Sequence, residues 1–439
     1  MDQLFLMKIY SMQKQKLKLI SILFILFFNQ IHAVEQPVYS SLFTDEACRV
    51  DFYLIGGYDS QSVELAQIHK VNAWGGSKIL LIDPLDYGNY RVQVYDLKSG
   101  KLVFQKGFCT LFEEWQGTKR AKDTIKAFEE SIVFPFPKFS VNVVLQVRNK
   151  GNQFTTLMEY NINPGDSRII SKQNNLLYKY ILKNGESHKK VDVVFLPDGY
   201  TKEQRSKFLK DVKKYTKKLL KTYPYKNHKS DFNVIAIEAW SEDTGTDFPQ
   251  YLHFENTYFD CSFNTFGSER YLMTESYWKV LDAATAVPFD QIVILVNSNE
   301  YGGGGIYNHY ATFTSDHKMS DFLLQHEFGH SFAGLADEYV DNSPYVNHIP
   351  LDVEPWQPNI TTLQHFNEKW ADKVDSKTPI PTPADIFGKD ILGAYEGAGY
   401  VAKGVYRPLY NCSMRSAIRN RFCPVCSEAI EKMIHYNSF

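Results

Sequence analysis

The sequence has no charge to spare. Its 48 basic and 50 acidic residues leave a formal net charge of −2 over 439 residues. A protein held on nucleic acid mainly through phosphates needs a strong basic excess, so no nucleic-acid partner is expected. Long apolar runs are also scarce. One lies near the N-terminus, and nothing after it approaches the ~20 residues of a membrane-spanning helix. No internal repeat or low-complexity segment is present. The glycine run Gly302 to Gly305 is not followed by Lys-Ser/Thr, so it is no phosphate loop. Cysteine is limited to six residues, and none sits just after the apolar run, which disfavours a bacterial lipoprotein.

What remains is a globular composition, 44% hydrophobic against 22% charged. The length suits two or three domains with real cores. Residues 1–33 read as a secretory signal. Lys14, Lys16 and Lys18 precede the apolar run Leu19 to Phe28, and Ile31-His32-Ala33 ends in a small residue suited to cleavage. An uncleaved N-terminal anchor is the alternative. Cleavage would leave no transmembrane anchor and a secreted, periplasmic or cell-surface protein, expected to be a monomer. Export permits disulfides, and the even cysteine count fits them. Cys48 and Cys109 are one candidate pair; Cys412, Cys423 and Cys426 cluster near the C-terminus. Cys423-Pro-Val-Cys426 has redox or zinc-knuckle spacing, but no second C-x-x-C completes a four-thiolate site.

Residues 34–165 read as a β-sandwich. Arg91 to Leu97 alternates, turns at Lys98-Ser99-Gly100 and returns at Leu102 to Phe104. A second hairpin joins Val141 to Val147 with Phe154 to Ile162. Residues 166–439 change texture. Strands are expected at Val191 to Leu196, Phe232 to Ile237 and Gln291 to Val296, and helices at Lys202 to Leu220 and Tyr271 to Ala284. The fold class is therefore multidomain: an N-terminal all-β sandwich, then an α/β (α+β) domain.

The sharpest chemistry lies at His326-Glu327-Phe328-Gly329-His330. Two histidines four apart share one helix face and can grip one Zn²⁺. Glu327 can reach the attacking water without being a ligand, as a general base should. A zinc hydrolase wants a third protein ligand. Gly334 suits the left-handed end of the helix, after which the chain can turn back. Asp337 is the first candidate ligand, Glu338 the second, and a distant carboxylate such as Glu354 the third. Pro350 and Pro355 flank Glu354, which argues against a helix there. His309, Tyr310, Tyr406 and Tyr410 are candidate donors to an oxyanion. The glycine run could be a cleft edge strand that pairs with substrate, or an ordinary loop.

The pattern resembles the metzincins, in which a Gly turn leads to a third ligand. It differs in the position of Gly334 and in offering Asp rather than His. Asn411-Cys412-Ser413-Met414-Arg415 resembles their Met-turn. HEFGHSFAGLADEY, from His326 to Tyr339, is similar to the signature of the M64 or IgA peptidase family. VDVVFLPDGY (Val191 to Tyr200), CSFNTFG (Cys261 to Gly267), Asn297 to Gly305 and Cys412 to Cys426 resemble the same family. The N-terminal part is similar to the domain often attached to it. The resemblance implies a zincin-like catalytic domain and a secreted zinc endopeptidase, with His326, His330 and Asp337 as metal ligands, Glu327 as base and Met414 as the Met-turn methionine. Substrates it suggests are immunoglobulin A, mucin-like or other host glycoproteins, or bacterial surface proteins. A secreted glycan- or protein-binding protein with a vestigial metal site is the competing class. Hydrolysis of a non-peptide amide is a third.

Overall fold

Strand register across the N-terminal half follows from alternating side chains. In a computed structural model, residues 36–171, 174–341, 349–388, 390–418 and 421–438 are described. The signal-like segment Met1 to Ala33 lies outside them. β1 (Phe43–Gly57) and β2 (Ser60–Val71) form a long antiparallel hairpin. β3 (Tyr90–Asp96) and β4 (Leu102–Phe108) form the expected first hairpin, with Val94 opposite Phe104. β5 (Lys126–Pro137) returns to β1. β6 (Val141–Arg148) and β7 (Phe154–Ile162) form the second hairpin. A short β8 (Ile170–Ser171) joins β2 in parallel. Two four-stranded sheets result, ordered β5-β1-β2-β8 and β4-β3-β6-β7. Their buried residues share one core, where the Phe104 and Phe134 rings lie 6.1 Å apart. This half is β-rich rather than all β, because α1 (Leu111–Gln116) interrupts it, capped by the Thr110 hydroxyl.

The C-terminal half is built on a six-stranded mixed sheet. β9 (Tyr178–Leu182) and β13 (Gly303–Gly305) are its edges. β10 (Val191–Asp198), β11 (Phe232–Ile237), β12 (Gln291–Val296) and β14 (Ala311–Thr314) run parallel between them. The three strands expected from apolar runs are all present, and every residue of β10, β11 and β12 is buried. That explains their lack of polar alternation. α2 (Arg205–Leu219) turns its lysines outward and buries Phe208, Val212 and Tyr215. The expected helix at Tyr271 to Ala284 is shorter. α3 begins at Tyr277 and ends at Ala284, because Tyr271 to Met273 spend their backbone on bridges to Gly303 and Ser262. β15 (Tyr395–Ala398) and β16 (Val401–Arg407) form a small hairpin. α4 (Ser320–Ala333) carries the two histidines, and α5 (Pro424–Ser438) closes the described chain.

The two halves meet at the loop between β13 and β14. Cys109 donates its N–H to the Tyr307 carbonyl at 2.9 Å, and Asn308 Nδ2 donates to the Gly107 carbonyl at 2.8 Å. His309 Nε2 lies 2.9 Å from Glu130 Oε2, with both side chains buried. Asn308 also donates its backbone N–H to Ser331 of α4. The β-rich half therefore braces the strand and helix that frame the histidines. None of the six cysteines forms a disulfide: all are buried free thiols, so the expected pairing of Cys48 with Cys109 is not formed.

The glycine run is a packing device first. A Cβ on Gly305 would sit 2.2 Å from the Glu327 carbonyl oxygen, inside any tolerable contact. Only glycine lets β13 lie this close to α4. Gly305→Ala should therefore destabilise the fold by about 1–3 kcal/mol, the usual cost of overpacking. A urea titration checks this, and an unchanged midpoint would show that helix and strand are not locked together.

Candidate active site

α4 is a buried helix: His326 and Glu327 are each less than a tenth exposed, and His330 little more. Gly334 ends it in the left-handed region at φ 61°, and its N–H and that of Leu335 close back on the last turn. The chain then reverses and brings Asp337 to the histidines. Asp337 Oδ1 is 3.0 Å from His326 Nε2 and 3.3 Å from His330 Nε2, and the two Nε2 atoms are 3.2 Å apart.

Each imidazole is oriented through its other nitrogen. His326 Nδ1 lies 2.9 Å from the Ser413 carbonyl, and His330 Nδ1 2.5 Å from the Leu335 carbonyl. A carbonyl only accepts, so each Nδ1 carries the hydrogen and each neutral Nε2 turns a bare lone pair to the centre. Asp337 Oδ2 accepts from the Tyr400 hydroxyl, while Oδ1 is buried and, with both Nε2 atoms bare, finds no hydrogen-bond donor among the described residues. Met414 is fully buried, and a Cβ on Gly329 would meet its sulfur at 2.8 Å. It thus lies against α4 at Gly329, between the two histidines.

These three donors fit a metal ion. A tetrahedral zinc with bonds near 2.05 Å places its ligands about 3.3 Å apart, close to all three observed separations. The carboxylate of Glu327 also comes within 4.8 Å of the imidazole nitrogens. The tighter triangle belongs to Asp337, which leaves Glu327 beside the centre rather than in it. Charge explains what the triangle does without an ion. Burial opposes protonation of His330, but the Asp337 and Glu327 carboxylates outweigh it and raise its pKa to about 9. His326 is raised for the same reason, against burial. Burial pushes Asp337 up, yet the two histidines hold it well below the usual carboxylate range. Glu327 is raised, chiefly by burial.

The centre opens into a cleft of about 550 Å³, lined by Arg270, Tyr301, Gly303 to Gly305, Tyr339 and Arg415 among others. A neighbouring pocket of about 260 Å³ touches His330 and Asp337 from the other side. Glu113 and Glu114, from α1 of the β-rich half, help to line it. The IgA Peptidase M64 family model matches residues 180–389 and 384–434, and the Peptidase M64 N-terminus model matches residues 38–159. The chain belongs to the M64 peptidase family. A search of curated proteins finds no match. As an M64 peptidase the chain acts on protein or peptide. No helix among the described residues is long and apolar enough to cross a membrane.

The structure separates the candidate ligands of this M64 site. Glu338 points away from the histidines, toward Asn359 and Cys426. Glu354 is occupied elsewhere, accepting from the Thr362 hydroxyl at 3.1 Å and the His365 N–H at 3.2 Å. None of the four candidate oxyanion donors lines the cleft. Tyr310 donates to the Thr274 carbonyl at 2.6 Å, and His309 is held by Glu130. Arg270, Tyr301 and Tyr400 were missed, since no sequence spacing ties them to α4; Tyr339 lay inside the motif without a role. The edge-strand idea is also narrowed. Arg270 to Leu272 already use the outward N–H and carbonyl of Gly303.

Ion uptake at this centre must expel the proton that His330 holds below about pH 9. Apparent zinc affinity of metal-stripped protein should rise at least about tenfold per pH unit toward that value, since His330 and the likewise raised His326 must both give up protons, and level off above it. Calorimetry in buffers of different ionisation enthalpy measures the released protons. A flat affinity from pH 6 to 9 would contradict the assignment. Tyr400→Phe frees Asp337 Oδ2 and should weaken zinc binding about 10–100-fold, as loss of a supporting hydrogen bond does.

Proposed function

We propose that the protein is an exported zinc endopeptidase, with His326, His330 and Asp337 as ligands and Glu327 as general base. The observation that carries this reading is the triangle of His326 Nε2, His330 Nε2 and Asp337 Oδ1, 3.0–3.3 Å on each side, with Glu327 beside it at one end of a wide cleft. Bound there, zinc would supply a Lewis acid that polarises the scissile carbonyl and lets water attack at neutral pH.

The chain's own groups do the rest. Ser413 and Leu335 hold the imidazoles by their Nδ1–H groups, and Tyr400 holds Asp337. Glu327 takes the proton of the attacking water and returns it to the leaving amine. Its raised pKa suits that exchange, because a carboxyl nearer neutrality gives a proton back more readily. Arg270 and Tyr339 carry cleft-facing donors suited to charge developing on the carbonyl oxygen. Gly305 turns its outward backbone groups toward the cleft, where an extended substrate can pair with them.

The division near residue 165 gives the β-rich half a bracing and cleft-lining role in this reading, supported by Glu113 and Glu114 beside the centre. Export rests on the signal-like segment at residues 1–33. Immunoglobulin A and mucin-like glycoproteins are the substrates the family name and an extracellular location suggest. Intact donors and an intact Glu327 disfavour a binding protein with a vestigial centre.

Glu327→Gln should reduce hydrolysis of casein or a quenched peptide library by about 10²–10⁴-fold while zinc content stays at the wild-type level. His330→Ala should lose both zinc and activity. Near wild-type turnover in Glu327→Gln would overturn the mechanism. Mapping new termini in secretory immunoglobulin A and mucins tests the substrate independently.

A further inference from the structure

Glu338 follows Asp337 directly, yet it serves a different cluster. It is fully buried. Its Oε1 accepts from Asn359 Nδ2 at 3.0 Å and from the Cys426 thiol at 3.1 Å, while Oε2 has no hydrogen-bond partner among the described residues. Ligand atoms of Glu338, Cys412, Cys423 and Cys426 all lie within 4.8 Å of one another, and all four residues are buried. Cys412 Sγ and Cys426 Sγ are 3.7 Å apart. Two backbone N–H groups point at sulfur: Cys423 N–H at Cys412 Sγ (3.2 Å) and Cys426 N–H at Cys423 Sγ (3.4 Å). Such donors favour thiolates.

We propose that Glu338, Cys412, Cys423 and Cys426 form a second metal site that holds a structural zinc ion. The donor set decides the metal: three sulfurs select zinc over calcium or magnesium. The spacing agrees, since tetrahedral zinc with Zn–S bonds near 2.3 Å sets sulfurs about 3.8 Å apart. A disulfide would need them at about 2.05 Å. Four protein donors leave no open position, so the site is closed and structural rather than catalytic. The buried Glu338 carboxylate, whose Oε1 lies 3.1 Å from Cys426 Sγ, supplies the fourth, anionic donor. Zinc uptake sends the thiol protons to solvent.

The site ties three segments together. Glu338 sits beside Asp337, and its N–H donates to the Met414 carbonyl at 2.8 Å. Cys412 precedes Ser413, whose carbonyl orients His326. Cys423 and Cys426 begin α5. The second ion therefore fixes the backbone that delivers Asp337 and the backbone that aligns His326. It is a positioning site, and its existence does not depend on what the first centre holds.

The test uses the purified full chain, zinc-loaded and desalted, in native mass spectrometry with elemental analysis. Wild type should carry two zinc ions and His326→Ala/His330→Ala one. Cys423→Ser/Cys426→Ser should lose one, but it can fail to fold, so it does not decide the matter. The deciding measurement is cobalt loading of His326→Ala/His330→Ala, with its fold checked by circular dichroism. Thiolate-to-cobalt charge-transfer absorption should persist there, because the histidine–aspartate centre has no sulfur to produce it. A folded variant without that band overturns the proposal, as does an alkylation-resistant chain two hydrogens lighter, the mark of a disulfide. If wild type binds a single ion with the thiolate band and the double variant keeps it, the catalytic-zinc reading fails while this site stands.

Discussion

Two imidazole nitrogens and a carboxylate oxygen are forced within 3.3 Å of one another, and the rest of the structure serves that crowding. Both imidazoles donate through Nδ1, so their Nε2 atoms face each other as acceptors. Acceptors this close, beside a buried carboxylate, repel unless positive charge enters between them. A proton answers in part, which is why His330 is raised to about 9. A divalent ion answers more fully, because it satisfies all three donors at once. The fold supplies the constraint from four directions: the pitch of α4, the left-handed Gly334, the Ser413 carbonyl and the Tyr400 hydroxyl.

Rigidity at that centre is borrowed from the β-rich half. The segment from Ile306 to Tyr310 links β13 to β14, and its polar groups are spent on Gly107, Glu130 and Cys109 on one side and on Ser331 on the other. A small shift of the N-terminal sheets would therefore be felt at α4. Gly305 removes the last cushion between strand and helix. The N-terminal half is then part of the machinery that holds the donors, and through Glu114 it also reaches the cleft itself.

How much of this could be read from sequence depended on distance along the chain. His326, Glu327, His330, Gly334 and Asp337 lie within twelve residues, and helix pitch plus one glycine is enough to bring them together. The apolar strands were legible because burial on both faces removes polar alternation. Long-range partners were not. Tyr400 meets Asp337 across 63 positions, and Ser413 meets His326 across 87. The helix expected to begin at Tyr271 failed for a related reason: its first residues have helical spacing, but Gly303 and Ser262 claim their backbone. Counting thiols alone also misled. The cluster has no fourth sulfur; a carboxylate from Glu338, 74 residues before Cys412, stands in its place.

Asp337 and Glu338 are neighbours on an irregular stretch of chain, yet their side chains go to different clusters: Asp337 to the histidines of α4 and Glu338 to Cys426 of α5. A two-residue acidic step thus divides its charge between two buried centres, which neither side could hold as a pair of like charges. Each centre then fixes the backbone of the other. Moving Asp337 toward or away from the histidines drags Glu338 through the thiol cluster, and displacing Cys412 moves the Ser413 carbonyl that aligns His326. Rotation of this segment is blocked from both ends, so a cluster that does not line the cleft also constrains the geometry of the histidine centre.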